Sequence, residues 1–179
     1  LRKLKLISNN YSLIIYKNIS VFSGLGGGAS NAAFILKFLL KDRITKNTLN
    51  KVEKLIGSDL RLFFYKQAYL ENLNKIRVAK KKYKLFFLLS RPNINCSTRE
   101  IYSKVKKYSK KNKFSFHKIN TKKKFISHIL AEKNELQPIV EKKYPKIKAL
   151  LSDINTQKGC YFSRMSGSGS VCYGLFNSE

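Results

Sequence analysis

Hydrophobic positions fall in short blocks along the chain, and their spacing switches between helical and extended periods. From Ser30 to about Lys41, residues Ala32, Ala33, Ile35, Leu36, Leu39 and Leu40 recur at i, i+3, i+4 and i+7, which predicts an amphipathic helix. Leu49, Val52, Leu55 and Ile56 repeat that period, and Gly57 stands where a helix ends. The opening residues read as the end of a helix, and the bulky, β-branched runs Tyr11 to Tyr16 and Ile19 to Phe22 as extended. Between Leu60 and Leu89 three strands are predicted, separated by Asn72, Asn74 and a lysine tract, the last running from Lys84 to Ser90. Ser97-Thr98-Arg99-Glu100 has the form of a capping box and predicts a helix from Glu100 to about Ser109. A lysine-rich loop near Lys110 to Lys124 is expected to be mobile. Further helices are predicted at Phe125 to Ala131 and Gln137 to Ile154, and strands at Cys160 to Arg164 and Val171 to Phe176 flank a Met165 to Ser170 loop. Such a mixture, without internal repeats or a Pro/Gly-rich linker, predicts an α+β architecture of packed layers.

Composition narrows this picture. With 179 residues and 43% hydrophobic content, the chain can bury a core, so disorder throughout is excluded. The longest apolar stretch, Ala32 to Leu40, is broken by Lys37 and falls short of the roughly 20 residues of a membrane span. Cys96, Cys160 and Cys172 are odd in number with no Cys-x-x-Cys, so neither a disulfide framework nor a zinc site is expected, and a reducing cytoplasm is the simplest home. The net charge of +27 lies far beyond the roughly 2–8 units usual for a small soluble domain. Two readings of it stay open. Tracts such as Lys80-Lys81-Lys82 and Lys122-Lys123-Lys124 can bind nucleic acid weakly and without sequence preference, or the lysines reflect drift in base composition, being dispersed along the whole chain. Under either, anionic substrates are attracted.

The candidate chemistry centres on Gly24-Leu25-Gly26-Gly27-Gly28-Ala29-Ser30-Asn31, set between an extended segment and a helix. Residues without Cβ let backbone N–H groups close on phosphate oxygens, and the helix start adds free amides and a positive dipole end. A Walker A loop is excluded by the missing Gly-Lys-Ser/Thr ending. A dinucleotide fingerprint is formally matched by Gly24, Gly26 and Ala29, with Asp42 as its acid, but Asp42 ends the same helix instead of following a second strand. A plain turn leaves the helix-opening Ser30-Asn31 unexplained.

The run from Ser23 to Ala33, eleven consecutive positions, resembles the phosphate loop of the GHMP kinases. Gly57-Ser58-Asp59 resembles that family's Gly-[Ala/Ser]-Asp, whose Asp is the catalytic base, and Met165 to Ser170 its C-terminal glycine loop. Arg91 to Tyr102 and Asn134-Glu135-Leu136-Gln137 are similar to stretches of the members acting on a cytidyl-linked sugar alcohol. The resemblance implies ATP-dependent phosphorylation of the 2-hydroxyl of the cytidyl-linked methylerythritol, a step of non-mevalonate isoprenoid synthesis. It implies two α+β domains, assigned here to residues 1–82 (a partial, ATP-binding domain) and 83–179 (ferredoxin-like, incomplete at its end). It further implies that Ser23, Gly24, Leu25, Gly26, Gly27, Gly28, Ala29, Ser30 and Asn31 hold ATP, with Ser30 reaching Mg²⁺ or a phosphate oxygen. Asp59 would be the base, and Gly167, Ser168 and Gly169 would lie on the substrate side. Thr98 either joins them or only opens its helix. His117 and His128 have no partner at metal spacing. A monomer or homodimer is expected.

Departures from the pattern are also expected to matter. Ser20 stands where the family has Pro, Glu135 where it has Asp, and Arg61-Leu62 brings a large cation near Asp59. The sequence starts with Leu1, and nothing in it matches the family's opening Pro-Ala-Lys-[Ile/Leu]-Asn motif. Several dozen residues before Leu1 and a final helix-strand segment after Glu179 are therefore expected to belong to a longer protein. The 179-residue chain alone is expected to lack kinase activity.

Overall fold

The computed structural model describes residues 1–19, 21–73, 75–79, 81–108 and 119–178. Ser20, Asn74, Lys80, His117 and most of the expected lysine-rich loop lie outside them. The chain forms two compact units. The first holds residues 1–18 and 26–82, and the second holds residues 19–25 and 83–179.

The first unit is built on α1 (Gly27–Leu40) and α2 (Lys46–Ile56). Ala33, Leu36 and Leu40 of α1 meet Val52 of α2 and Leu60, all nearly inaccessible to solvent. Thr45 stops α2 from fraying: its Oγ1 accepts from Thr48 N–H at 3.1 Å, and Gly57 at φ 128° ends the helix. A 3₁₀ turn, Ser58–Phe64, follows, where sequence reasoning begins a strand at Leu60. This run takes the turn because Leu60 and the Phe63 and Phe64 rings pack back on α1 and α2. A two-stranded antiparallel ribbon of β1 (Ala68–Asn72) and β2 (Lys75–Val78) completes the unit.

The run from Tyr11 to Tyr16, expected to be extended, forms no strand. Tyr11, Ile14, Ile15 and Tyr16 are exposed, and no described strand offers them a ladder, without which an extended run gains nothing from its β propensity.

The second unit is a three-stranded antiparallel sheet in the order β3 (Phe86–Ser90), β5 (Cys172–Phe176), β4 (Cys160–Met165). It is packed by α3 (Thr98–Ser103), α4 (Lys122–Ala131), α5 (Gln137–Lys143) and α6 (Pro145–Asn155). The core joins Cys96, Ile101, Val140, Ile147, Leu151, Ile154, Met165 and Cys172. The helix expected from Gln137 to Ile154 is two helices. Pro145 supplies no N–H and pushes Tyr144 out of the helical region, to ψ 83°, so the chain breaks there and Pro145 opens α6. The capping box at α3 is half formed. Ser97 Oγ accepts from Glu100 N–H at 3.4 Å, but the Glu100 carboxylate binds Lys104 at 2.8 Å and Lys143 at 2.5 Å instead of reaching back. The Lys104 and Lys143 ammonium groups hold the Glu100 carboxyl down to about 2, so the triad persists through the ordinary carboxylate range and opens only as pH falls towards that value.

All three cysteines are free, and burial pushes the Cys172 thiol up to about 11, which leaves it unreactive at neutral pH. His128 is buried in α4, where desolvation lowers its pKa. Among the described residues no helix is long and apolar enough to cross a membrane.

Candidate active site

Glycine at 24 and 26 is required by the backbone. Both adopt positive φ, +72° and +67°, and a Cβ on Gly24 would fall 2.0 Å from the Ser166 carbonyl oxygen. α1 begins at Gly27, three residues earlier than the pattern of apolar positions predicts, because Gly27 and Gly28 carry no side chain that could register in that pattern. Ser30 therefore does not open the helix. Its N–H donates to the Gly26 carbonyl at 2.9 Å in the first full turn.

The consequence is electrostatic. Gly26 is the N-cap, and no side chain caps the helix. The amides of Gly27, Gly28 and Ala29 have no carbonyl four residues back within α1, so three N–H groups and the positive dipole end meet at the helix start, where Gly28 is exposed and its two neighbours half-buried. A Cβ at Gly28 would touch nothing within 4 Å, so packing gives no reason for glycine there. Ser30 and Asn31 follow on the same first turns, half-buried.

The turn that carries Asp59 belongs to the same unit and packs along α1. The Phe63 ring lies 3.0 Å from where a Cβ of Gly26 would sit, and Lys37 Nζ donates to the Phe63 carbonyl at 2.9 Å. The Asp59 side chain is exposed and joins no hydrogen bond or ion pair among the described residues. Asp59 does not cap its turn, since Gly57 is the N-cap and no side chain caps it.

Arg61, expected to crowd Asp59, turns away. Its Nε lies 2.8 Å from Glu53 Oε2, and it donates through Nη2 to the Leu73 carbonyl. The Nε–H is not aligned with an acceptor, so the contact with Glu53 is ionic, not a formed hydrogen bond.

In the second unit, the Ser166–Ser170 loop between β4 and β5 gathers the other predicted residues. Ser23 and Gly24 belong to this unit and pair with the loop. Ser166 Oγ donates to the Gly24 carbonyl at 2.8 Å, Ser170 N–H to that of Phe22 at 3.0 Å, and Val171 N–H to that of Ser23 at 3.1 Å. Leu25 N–H donates to Ser23 Oγ at 3.4 Å. Thr98 Oγ1 and Ser168 Oγ are hydrogen-bonded at 2.8 Å. Since Ser97 caps α3, the Thr98 hydroxyl is spent on the loop and not on opening its helix. Gly167 and Gly169 hold positive φ, +52° and +87°, with Met165 Sδ and Cys96 Sγ crowding any Cβ at Gly169.

Sequence reasoning did not place Asn134 and Gln137 at this site. Asn134 Nδ2 donates to the carbonyls of Met165 and Gly167, each at 2.8 Å, while its Oδ1 accepts from Leu136 N–H at 3.0 Å. Gln137 Oε1 accepts from Met165 N–H at 3.0 Å. The signal for them was the resemblance of the Asn134–Gln137 run, which said nothing of what the residues hold. Asn134→Asp, nearly isosteric, points a carboxylate at two carbonyl oxygens and is expected to destabilise the second unit by about 2–3 kcal/mol at neutral pH. The neutral acid can still donate, so its folded pKa is raised. The stability lost at pH 7 should return as pH falls below the ordinary carboxylate range, in urea denaturation followed at both pH values.

Comparison with known proteins places this geometry in a family. Residues 123–179 match the model for the C-terminal region of GHMP kinases. A protein of Pelagibacter ubique named 4-diphosphocytidyl-2-C-methyl-D-erythritol kinase is 34% identical over 180 residues, covering 98% of this chain and 63% of its own length. A protein of the same name from Buchnera aphidicola is 33% identical, covering 93% of this chain and 55% of its own. One from Wolbachia pipientis is 32% identical, at 92% and 58%. The chain thus spans about 55–63% of the length of these curated relatives. A crystal structure of 4-(cytidine 5'-diphospho)-2C-methyl-D-erythritol kinase shares the fold with a TM-score of 0.57 at 23% identity, over 90% of this chain and 60% of that one. With relatives aligned along nearly every residue and a C-terminal match that spans the Ser166–Ser170 loop, the chain belongs to the GHMP kinase family.

Proposed function

We propose that the protein carrying this chain transfers the γ-phosphoryl group of ATP to the 2-hydroxyl of 4-diphosphocytidyl-2-C-methyl-D-erythritol, the compound named for its relatives. The observation that carries this reading is the uncapped start of α1, where three free amides follow a glycine N-cap with no side chain in the way. Phosphoryl transfer asks a protein mainly for positioning and charge stabilisation, and this feature supplies both to an anion.

In this reading, the Gly24–Ser30 backbone holds the triphosphate with Ser23, Leu25 and Asn31 supporting it. Asp59 orients the acceptor hydroxyl and takes its proton as the oxygen attacks phosphorus, and ADP leaves with the electrons of the broken P–O bond. Gly167–Gly169, braced by the hydrogen bond between Thr98 and Ser168, would bring close backbone to the substrate side. A divalent cation fits as a partner of the triphosphate, with the Ser30 hydroxyl as its protein contact. Among the described residues no three His, Cys, Asp or Glu side chains gather to form a cage of their own. Mg²⁺ bound there would neutralise charge on the phosphates.

The test is a coupled ADP-release assay, with and without the cytidyl substrate. Release that depends on that substrate is the expected result. ADP formation that ignores it, or that responds better to another small alcohol, would overturn the substrate assignment.

A further inference from the structure

Along α2, Lys46, Asn50 and Lys54 are spaced at i, i+4 and i+8, and Lys51 lies on the adjoining row, so one helix face carries three cations. That face and the Ser58–Phe64 turn enclose a cavity of about 880 Å³, with Arg61 also lining it. None of these lining residues belongs to the glycine loop. Among the described residues four cations line the cavity against a single carboxylate, Glu53, and that carboxylate already belongs to Arg61.

The lysines alone would decide nothing in a chain of net charge +27, because drift in composition spreads such residues over any surface. Arg61 is different. It is only 8% exposed, and its buried Nε–H has no aligned acceptor. Burying a guanidinium is costly unless its donors are satisfied, and one carbonyl, that of Leu73, with one off-axis carboxylate leaves that demand partly open. Lys46, Lys51 and Lys54 form no ion pair among the described residues, so the excess positive charge faces the cavity uncompensated.

We propose that this cavity is a second anion site, which binds a compact oligophosphate. Its volume falls in the range of small-molecule pockets, about 300–1,000 Å³. Three uncompensated positive charges favour a multiply charged ligand over a monoanion. Among the described residues no aromatic side chain lines the cavity, so these offer none of the stacking platforms that single-stranded nucleic acid uses. The site stands independently of the proposed kinase reaction. Because Ser58 and Arg61 both line it and flank Asp59 in sequence, an occupant would also brace the turn on which Asp59 sits.

The experiment is calorimetric titration of the 179-residue chain with inorganic tripolyphosphate. Lys51→Gln/Lys54→Gln should weaken binding about tenfold or more, equivalent to some 1.4 kcal/mol. Lys146→Gln/Lys148→Gln removes the same charge from exposed positions on α6 that do not line the cavity, and should leave the affinity within about twofold. Equal losses in the two double variants would reduce the effect to diffuse attraction and overturn the proposal. So would a parent chain with no saturable binding, or a loss confined to Gly28→Ala, which would put the ion at the glycine loop. Single-stranded RNA that displaces tripolyphosphate, and itself depends on Lys51 and Lys54, would overturn the choice of ligand.

Discussion

Asp59→Asn, introduced into the protein that carries this chain, is expected to slow turnover by about 10²–10⁴-fold, the usual contribution of one general acid–base group. The change removes a proton acceptor and keeps the shape. Its effect on folding should be small, because Asp59 is exposed, caps no helix and pairs with no described residue. Surface substitutions of this kind usually stay within about 0.5 kcal/mol. The two expectations pull apart two readings of the same residue. A structural Asp would cost stability and spare the rate, whereas a base costs rate and spares stability. The measurement pairs ADP release at saturating substrate with a thermal midpoint on the same preparation. Turnover equal to the parent would return Asp59 to the status of a surface residue.

Gly24→Ala is expected to have the largest effect on stability, about 3 kcal/mol or more, through two costs that add. A non-glycine residue at φ +72° pays roughly 1–2 kcal/mol for the left-handed conformation. Its Cβ would also lie 2.0 Å from the Ser166 carbonyl oxygen. That oxygen cannot retreat cheaply, since it accepts the Gly169 N–H at 2.9 Å within its own turn. Separation of the strands of backbone would strip the bonds from Ser166, Ser170 and Val171 to residues 22–24. Gly26→Ala is the natural comparison. It pays a similar backbone penalty, but its Cβ meets the edge of the Phe63 ring, which can turn aside, so the loss should be visibly smaller. Chemical denaturation of the two variants gives the ranking. Equal midpoints would contradict the close approach of Gly24 to the Ser166–Ser170 loop.

What could be read from the sequence follows the range of the interactions involved. α2 was legible because its signals are local: a period of 3.6 residues and a glycine at Gly57. The strands β4 and β5 were legible for the same reason, with bulky runs either side of a glycine loop. The run from Tyr11 to Tyr16 looks extended on equal grounds and is not a strand, because a ladder depends on a partner that propensity does not report. The break at Pro145 was available locally and was overridden by a continuous apolar period across it. At the candidate site, the glycine loop announced itself by composition. The bond from Ser166 to Gly24 spans 142 residues of sequence, and no local pattern encodes it. Asn134 was invisible for a similar reason, since its amide holds two carbonyls more than thirty residues away. Arg61 misled because nearness in sequence to Asp59 says nothing of which way a long side chain leaves its turn.

The central claim is that the start of α1 holds phosphate, and Gly28→Ala tests it most directly. Nothing lies within 4 Å of the added methyl, and Gly28 sits in the first turn of a helix, where alanine is favoured over glycine by up to about 1 kcal/mol. A purely structural glycine would therefore leave a variant as stable as the parent, or slightly more so, with unchanged ATP affinity. A glycine kept open for phosphate oxygens would leave the stability but lose the ligand. Calorimetric titration with ATP, alongside the thermal midpoint without it, is predicted to show about tenfold weaker binding or worse with no fall in the midpoint. Undiminished ATP affinity in a fully folded Gly28→Ala variant would contradict the account.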